Sequence, residues 1–244
     1  DAVKQSGSAG GVTTYKYAAA CNLEYVLRPA HGSLYEYDSL NRLELLTQFI
    51  DNGTEQGELD GSDALIAVFD YAVNTDGQRG GATETFYQSD GTTVDHTNTF
   101  TWTYDKAGRL VTETLVSTRL ADYTDTFGYD LAGNRNSYTH DSGGTLDEVT
   151  YEYDANDRLT TETSTVNGTT TYGYNEAGEQ TSKTVGSTTT NYRYDVRGRL
   201  VGVDTNNDQI DDITYVYNDA GIRVVKTENS VVTQFLIDNQ NHTG

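Results

Sequence analysis

The chain has no methionine, a single cysteine and few basic residues. Cys21 cannot form an internal disulfide, so stability must come from backbone pairing or from bound ions. With 16 Lys+Arg against 37 Asp+Glu the formal net charge is −21, which repels phosphate backbones and anionic lipid surfaces; no nucleic-acid partner is expected. No apolar run is long enough to span a membrane, and the opening Asp1-Ala-Val-Lys4 lacks the basic and apolar segments of a leader, so an excised or processed piece is expected. Enzyme signatures are missing as well. His31, His96, His140 and His242 are scattered without metal-ligand spacing, Cys21 has no partner motif, and neither a Gly-rich phosphate loop nor a nucleophile elbow occurs. Only the two-carboxylate chemistry of glycosidases stays open, because acidic residues are plentiful; the chain is not expected to be an enzyme.

Aliphatic residues are also in short supply. Hydrophobic residues make up 35% of the chain, yet 19 residues are Tyr. Burial must then come mainly from rings whose hydroxyls need partners, which fits a thin sheet better than a thick core. The aromatics recur in one phrase: a pair flanking one residue, then Asp or Asn, a short turn and often Arg-Leu. Clear copies are Tyr35-Glu-Tyr37-Asp38 to Arg42-Leu43, Trp102-Thr-Tyr104-Asp105 to Arg109-Leu110, Tyr151-Glu-Tyr153-Asp154 to Arg158-Leu159, and Tyr192-Arg-Tyr194-Asp195 to Arg199-Leu200. Phe127-Gly-Tyr129-Asp130 with Gly133, Tyr172-Gly-Tyr174-Asn175 with Gly178, and Tyr215-Val-Tyr217-Asn218 with Gly221 are weaker ones. From Tyr104 to Tyr217 the steps are about 20 to 25 residues, the scale of one supersecondary unit in a repeat array.

Each unit reads as a β-hairpin. Tyr and Thr at alternate positions favour strands and place the two aromatics of a pair on one face. Asp-x-x-Gly suits a type I turn closed by a residue at positive φ, which predicts left-handed backbone at Gly108, Gly178, Gly198 and Gly221. Stacked units should bring Tyr129, Tyr153, Tyr174, Tyr194 and Tyr217 into a ladder of touching rings; Tyr37 and Tyr104 are structural residues of their own repeats. Val166-Asn-Gly-Thr169 and Val185-Gly-Ser-Thr188 carry the signals of the opposite, tight turns.

These residues resemble the YD-repeat family, also called RHS repeats, of bacterial secreted toxins, insecticidal complexes and animal teneurins. The match runs from about Tyr35 to Gly221, with degenerate copies at Tyr15-Lys-Tyr17 and at Phe69-Asp-Tyr71 with Gly77. The segment Phe235 to Gly244 is similar to the one that follows the last repeats in bacterial members. The resemblance implies a long, curled antiparallel sheet, a spiral shell or fibre segment, around a large internal space. An all-β, single array over residues 1–244 is therefore expected, with an irregular polar insertion at about 51–81. The self-cleavage motif and toxin of bacterial members follow the repeats, and the chain stops before any such segment.

One stretch carries candidate chemistry, Asp204-Thr-Asn206-Asn-Asp208-Gln-Ile210-Asp-Asp212. Calcium takes six to eight hard oxygens, and Asp204, Asn206, Asp208, Ile210 through its carbonyl, and Asp212 occupy the odd positions of a helix-loop-helix calcium loop. Gln209 stands where Gly eases the turn and Tyr215 where a bidentate Glu closes the site. The alternative is a polar hairpin loop whose acids face water. Asn-x-Thr sequons at Asn52, Asn167 and Asn241 matter only in a pathway that glycosylates.

Two functional readings follow. The first is a structural extracellular segment, secreted or at the cell surface, that helps form a shell or fibre enclosing or presenting other material. Its partners are neighbouring repeats of a longer parent chain, or other copies end to end through Gln5–Thr14 or Val231–Ile237. The second is a glycan- or cell-surface-binding module, motivated by abundant Tyr, Asn and Asp.

Overall fold

The structure, a computed structural model, describes residues 3–6, 12–53 and 59–235. The segment after Phe235, with the Asn241 sequon and His242, lies outside the described residues, as do residues 7–11 of the Gly- and Ser-rich start and Thr54 of the Asn52 sequon. Every regular element among the described residues is a β-strand, and every pairing described below is antiparallel.

The chain forms two compact units, Asp1–Phe127 with Thr139–Leu146, and Gly128–Tyr138 with Asp147–Gly244. The first holds β1 (Val3–Ser6), β2 (Val12–Tyr17), β3 (Leu23–Arg28), β4 (His31–Tyr37), β5 (Leu43–Ile50), β6 (Ala64–Val73), β7 (Arg79–Tyr87), β8 (Val94–Tyr104), β9 (Leu110–Ser117) and most of β10 (Tyr123–Tyr129). The division runs through β10, β11 (Arg135–Ser142) and β12 (Thr145–Tyr153). The second unit continues with β13 (Leu159–Ser164), β14 (Gly168–Tyr174), β15 (Gln180–Val185), β16 (Thr188–Tyr194), β17 (Leu200–Asp204), β18 (Ile213–Tyr217), β19 (Arg223–Glu228) and β20 (Val231–Gln234). From β1 to β10, and again from β12 to β20, each strand pairs with the next in sequence.

Register separates the two faces of each unit. In the second, Tyr151 opposes Glu162 and Tyr172 opposes Lys183 on one face, while Thr161, Thr171, Thr184 and Thr189 line up across β13 to β16 on the other. Alternate Tyr and Thr thus sort into an aromatic face and a hydroxyl face, as period-2 side chains must. No large side chain is wholly enclosed among the described residues. The nearest to it is Phe49 of the first unit, 2% exposed, whose ring fills the space that Gly32, its cross-strand partner, leaves empty.

The expected insertion at 51–81 is shorter than the sequence implies. Its second half folds as β6 and the turn to β7, because the apolar run Ala64–Phe69 finds partners on both sides: Phe69 opposes Leu46 of β5 and Glu84 of β7. The irregular part is 51–63. The turn after β6 begins at Asn74, which makes Tyr71 and Val73, not Phe69 and Tyr71, the pair that precedes it.

Candidate functional site

The repeated turn is built around one carboxylate. In the turn from Asp105 to Arg109, the Asp105 N–H donates to the Arg109 carbonyl at 2.9 Å and the Gly108 N–H to the Asp105 carbonyl at 3.0 Å. Asp105 Oδ1 accepts the N–H groups of Ala107 (2.8 Å) and Arg109 (3.0 Å), and Oδ2 accepts Arg109 Nε at 2.7 Å. The same pattern recurs at Asp38 with Arg42, Asp154 with Arg158 and Asp195 with Arg199. Gly108, Gly178, Gly198 and Gly221 close their turns at φ 79°, 85°, 73° and 79°; Asn41 and Asp157 occupy the same place at 62° and 58°. The guanidinium of Arg199 and the N–H groups of Arg199 and Arg197 hold the Asp195 carboxyl down at about 2, against the opposing effect of desolvation.

After each such turn the ladder slips by one residue. Tyr153 opposes Leu159 while Glu152 opposes Thr161, so Thr160 is the extra residue of a bulge; Val111, Thr181, Val201 and Val224 hold the same place. The second aromatic of a pair is the last residue of its strand, and in five cases its hydroxyl reaches back to the first residue of the strand before. Tyr37 donates to the Leu23 carbonyl (3.0 Å) and Tyr104 to that of Arg79 (2.9 Å). In the second unit Tyr153 donates to Arg135 (2.8 Å), Tyr174 to Leu159 (2.9 Å) and Tyr217 to Leu200 (2.8 Å). Tyr194 departs from the series, its hydroxyl making no hydrogen bond among the described residues. Tyr129 ends β10.

The rings do not form the expected ladder. Tyr153, Tyr174, Tyr194 and Tyr217 make no ring-on-ring contact among the described residues. Equivalent tyrosines lie on every second strand, about 10 Å apart, beyond the reach of ring pairing. The residue after the turn fills that gap. Arg158 lies over Tyr174 with 5.0 Å to the ring centre, and Arg199 over Tyr217 with 4.9 Å, in cation–π geometry. Glu side chains take up the hydroxyls and the indole on the same face: Trp102 Nε1 (2.7 Å) and Tyr123 Oη (2.6 Å) donate to the two oxygens of Glu113, and Tyr172 donates to Glu162 at 3.2 Å. Burial first, and the Glu162 charge second, push the Tyr172 hydroxyl up to about 12.

The residue at the turn's end also reaches the next turn at that end of the hairpins. Arg42 Nη1 donates to the Asn74 carbonyl (2.8 Å) and Gln78 Nε2 to the Gly108 carbonyl (2.9 Å). In the second unit Asn134 Nδ2 donates to Asp157 Oδ1 (2.9 Å) and Arg158 Nη1 to the Asn175 carbonyl (3.2 Å). The equivalent Nη1 of Arg199 is buried without an acceptor.

The 205–212 loop differs from every one of these turns. Asp204, 5% exposed, takes the N–H groups of Asn206 (3.2 Å), Asn207 (2.7 Å) and Asp208 (3.3 Å) on Oδ1 and that of Gln209 (2.9 Å) on Oδ2. Burial alone would raise its carboxyl, but these donors outweigh it and the value is lowered. Asn206 Oδ1 accepts the Asp208 N–H and Asp208 Oδ1 the Ile210 N–H, while Asp212 Oδ2 takes the N–H and hydroxyl of Thr205. The residues expected to ligate calcium turn oxygens onto the loop's own backbone. Among the described residues no group of three His, Cys, Asp or Glu side chains is placed to hold a metal. Beside the loop lies an open cleft of about 420 Å³, lined by Asn191, Tyr192, Arg193, Asp204, Asn207, Gln209 and Asp211. No helix among the described residues is long and apolar enough to cross a membrane.

Known structures share this fold. A Tc holotoxin pore of Photorhabdus luminescens superposes with a TM-score of 0.62 at 15% identity, over 93% of this chain and 12% of that one. A TcdB2-TccC3-Cdc42 structure gives 0.58 at 14% identity, over 93% of this chain and 13% of that one, and TcdB2-TccC3 gives 0.58 at 14%, over 89% and 13%. The chain thus spans about an eighth of the length of the chains it matches. No curated protein matches it. Residues 82–243 match the teneurin YD-shell family, and with that match extending over most of the chain, through turn after turn of the kind described above, the protein belongs to the teneurin YD-shell family.

Proposed function

We propose that the chain is a structural segment of an extracellular β-sheet wall, secreted or at the cell surface, that encloses or presents other material. The observation that carries this reading is the tie from turn to turn. A residue whose side chain caps its own turn and then bonds the next, as Arg42 and Arg158 do, serves the continuity of a sheet. Neighbouring repeats of a longer chain, or other copies end to end in a fibre, are the partners that cover the terminal strands. Analytical ultracentrifugation of the 244-residue chain separates these arrangements: growth with concentration supports copies end to end, and a monomer at all concentrations supports a longer parent. Hydrogen exchange tests the wall itself, which requires slow exchange throughout the interior strands β4–β8 and β13–β18; rapid exchange there would reject it. The alternative, a glycan- or cell-surface-binding module, draws support from the polar cleft beside the 205–212 loop.

A further inference from the structure

We propose that this cleft is a binding site for a neutral saccharide, one or two sugar units in size. The inference deepens the alternative just given and is independent of whether the chain is a wall segment. The loop that makes the cleft is held rigid before any ligand arrives, by the N–H donors gathered on buried Asp204. It is also held in an unfavourable conformation. Asn207 and Gln209 stand at φ 62° and 70°, where L-residues other than Gly are strained, and both line the cleft. Asp211 folds back over the sheet into the space a side chain at Gly202 would fill, and it pairs there with Arg193.

The lining selects the ligand class by elimination. No aliphatic side chain lines the cleft, and its one ring is Tyr192, so a wholly apolar ligand finds little to pack against while a sugar's apolar face finds a ring. Arg193 carries one positive charge against the two carboxylates of Asp204 and Asp211, which disfavours phosphates and carboxylates. A cationic ligand finds no free carboxylate either: Asp204 is engaged by backbone N–H groups, and Asp211 by Arg193. What remains open is neutral or pre-neutralised and planar. The Gln209 side-chain amide has no partner among the described residues. Asn207 accepts the Asn191 amide through Oδ1 at 2.8 Å, leaving its own Nδ2 to donate, and Arg193 gives Asp211 one of its two terminal nitrogens. Planar groups that donate or accept in pairs match adjacent hydroxyls on a pyranose ring, and a volume of about 420 Å³ accommodates a mono- or disaccharide.

The test is an NMR titration of the full chain, labelled with ¹⁵N, against glucose, galactose, mannose, N-acetylglucosamine, maltose, cellobiose, lactose and chitobiose at millimolar concentrations. At least one should saturate, with amide shifts confined to residues 191–193 and 202–212. Gln209→Gly relieves the left-handed strain while deleting the amide, so it should keep or raise the melting temperature and weaken binding by about tenfold or more. Asn207→Gly serves as a second variant of the same design, and Thr171→Ala, on the hydroxyl face outside the cleft, should bind as wild type. The proposal is overturned if none of these sugars saturates, if the shifts map elsewhere, or if binding survives both glycine variants.

Discussion

The hairpins of the second unit are tied at one end and free to vary at the other. At the first end, the turns at 154–158, 175–179, 195–199 and 218–222 share one hydrogen-bond pattern. At the other, the connections run from Gly186-Ser187 and Asn229-Ser230 to the whole 205–212 loop. The difference follows from what each end contributes. The first carries the capping Asp or Asn and the bulge, with clasps from Tyr153, Tyr174 and Tyr217 and rings under Arg158 and Arg199, so many positions there answer to several partners at once. The second needs only to reverse the chain, and a longer loop there costs little. The cleft has formed at the unconstrained end.

The sharpest way to break the comparison is to remove a ring from the tied end. Tyr174→Ala loses the contact with Arg158 and the bond to the Leu159 carbonyl, and should cost about 2 to 3 kcal/mol, somewhat less than truncating a fully buried aromatic. Tyr174→Phe isolates the hydroxyl and should cost about 1 kcal/mol. Ser187→Ala, at the free end, should change stability by less than about 0.5 kcal/mol. Urea unfolding of the three variants checks the ranking; equal losses at both ends would show that the two ends are not distinct.

A smaller effect is expected from the turn backbone. Gly178→Val places a β-branched residue at φ 85° and should cost about 1 to 2 kcal/mol. The opposite substitution sharpens the point, because Asn41 already holds the equivalent position at φ 62°. Asn41→Gly should leave stability unchanged or raise it by up to about 1 kcal/mol.

These two predictions also mark how far the sequence could be read. The hairpins, the turns and the glycines were legible because each depends on residues close together in the chain: Asp105 and Gly108 specify their turn without help from elsewhere. The tyrosine clasp was not, although its signal was present, since Tyr37, Tyr104, Tyr153, Tyr174 and Tyr217 each immediately precede the turn. Where such a hydroxyl lands depends on the bulge in the return strand, and a one-residue slip cannot be seen in a polar β-branched stretch such as Leu159-Thr-Thr-Glu162. The ring ladder failed for a simpler reason of distance, because the sequence spacing of repeats hides the strand that lies between them. The role of the 205–212 loop was not legible because carboxylates at alternate positions suit two acceptor roles, one toward a cation and one toward backbone N–H groups, and the sequence alone does not choose between them.

Acid should act on the tied end first. The folded-state carboxyls of Asp38, Asp105, Asp154 and Asp195 are all lowered, Asp195 from 3.8 to about 2 by Arg199 and the turn N–H groups. A lowered folded value means that the stabilisation is complete above the ordinary carboxyl range and is lost as pH falls through the folded one. The melting temperature should therefore hold above about pH 4 and decline toward pH 2. Because these groups are half-buried and still reached by solvent, each contributes little by itself and the decline should be gradual. Arg199→Gln should move the Asp195 titration, followed by NMR, toward its ordinary value, and an unmoved titration would show that the guanidinium is not its cause.

The smallest effect is expected from calcium. A calcium ion in the 205–212 loop would need Asp204, Asn206, Asp208 and Asp212 to converge, whereas here Asp204 receives N–H groups on both of its oxygens and Asp212 Oδ2 takes the N–H and hydroxyl of Thr205. A carboxylate oxygen can accept an N–H and ligate a cation together, but among the described residues no three of these side chains converge as a metal needs, so binding would require the loop to rearrange. Millimolar calcium or a chelator should accordingly leave the melting temperature unchanged, whereas Asp204→Ala should lower it in either buffer, because the loop loses its acceptor. A melting temperature that rises with calcium and falls on chelation, with Asp208→Ala abolishing the difference, would show that the loop rearranges around an ion, and that the free end of the hairpins carries a metal site after all.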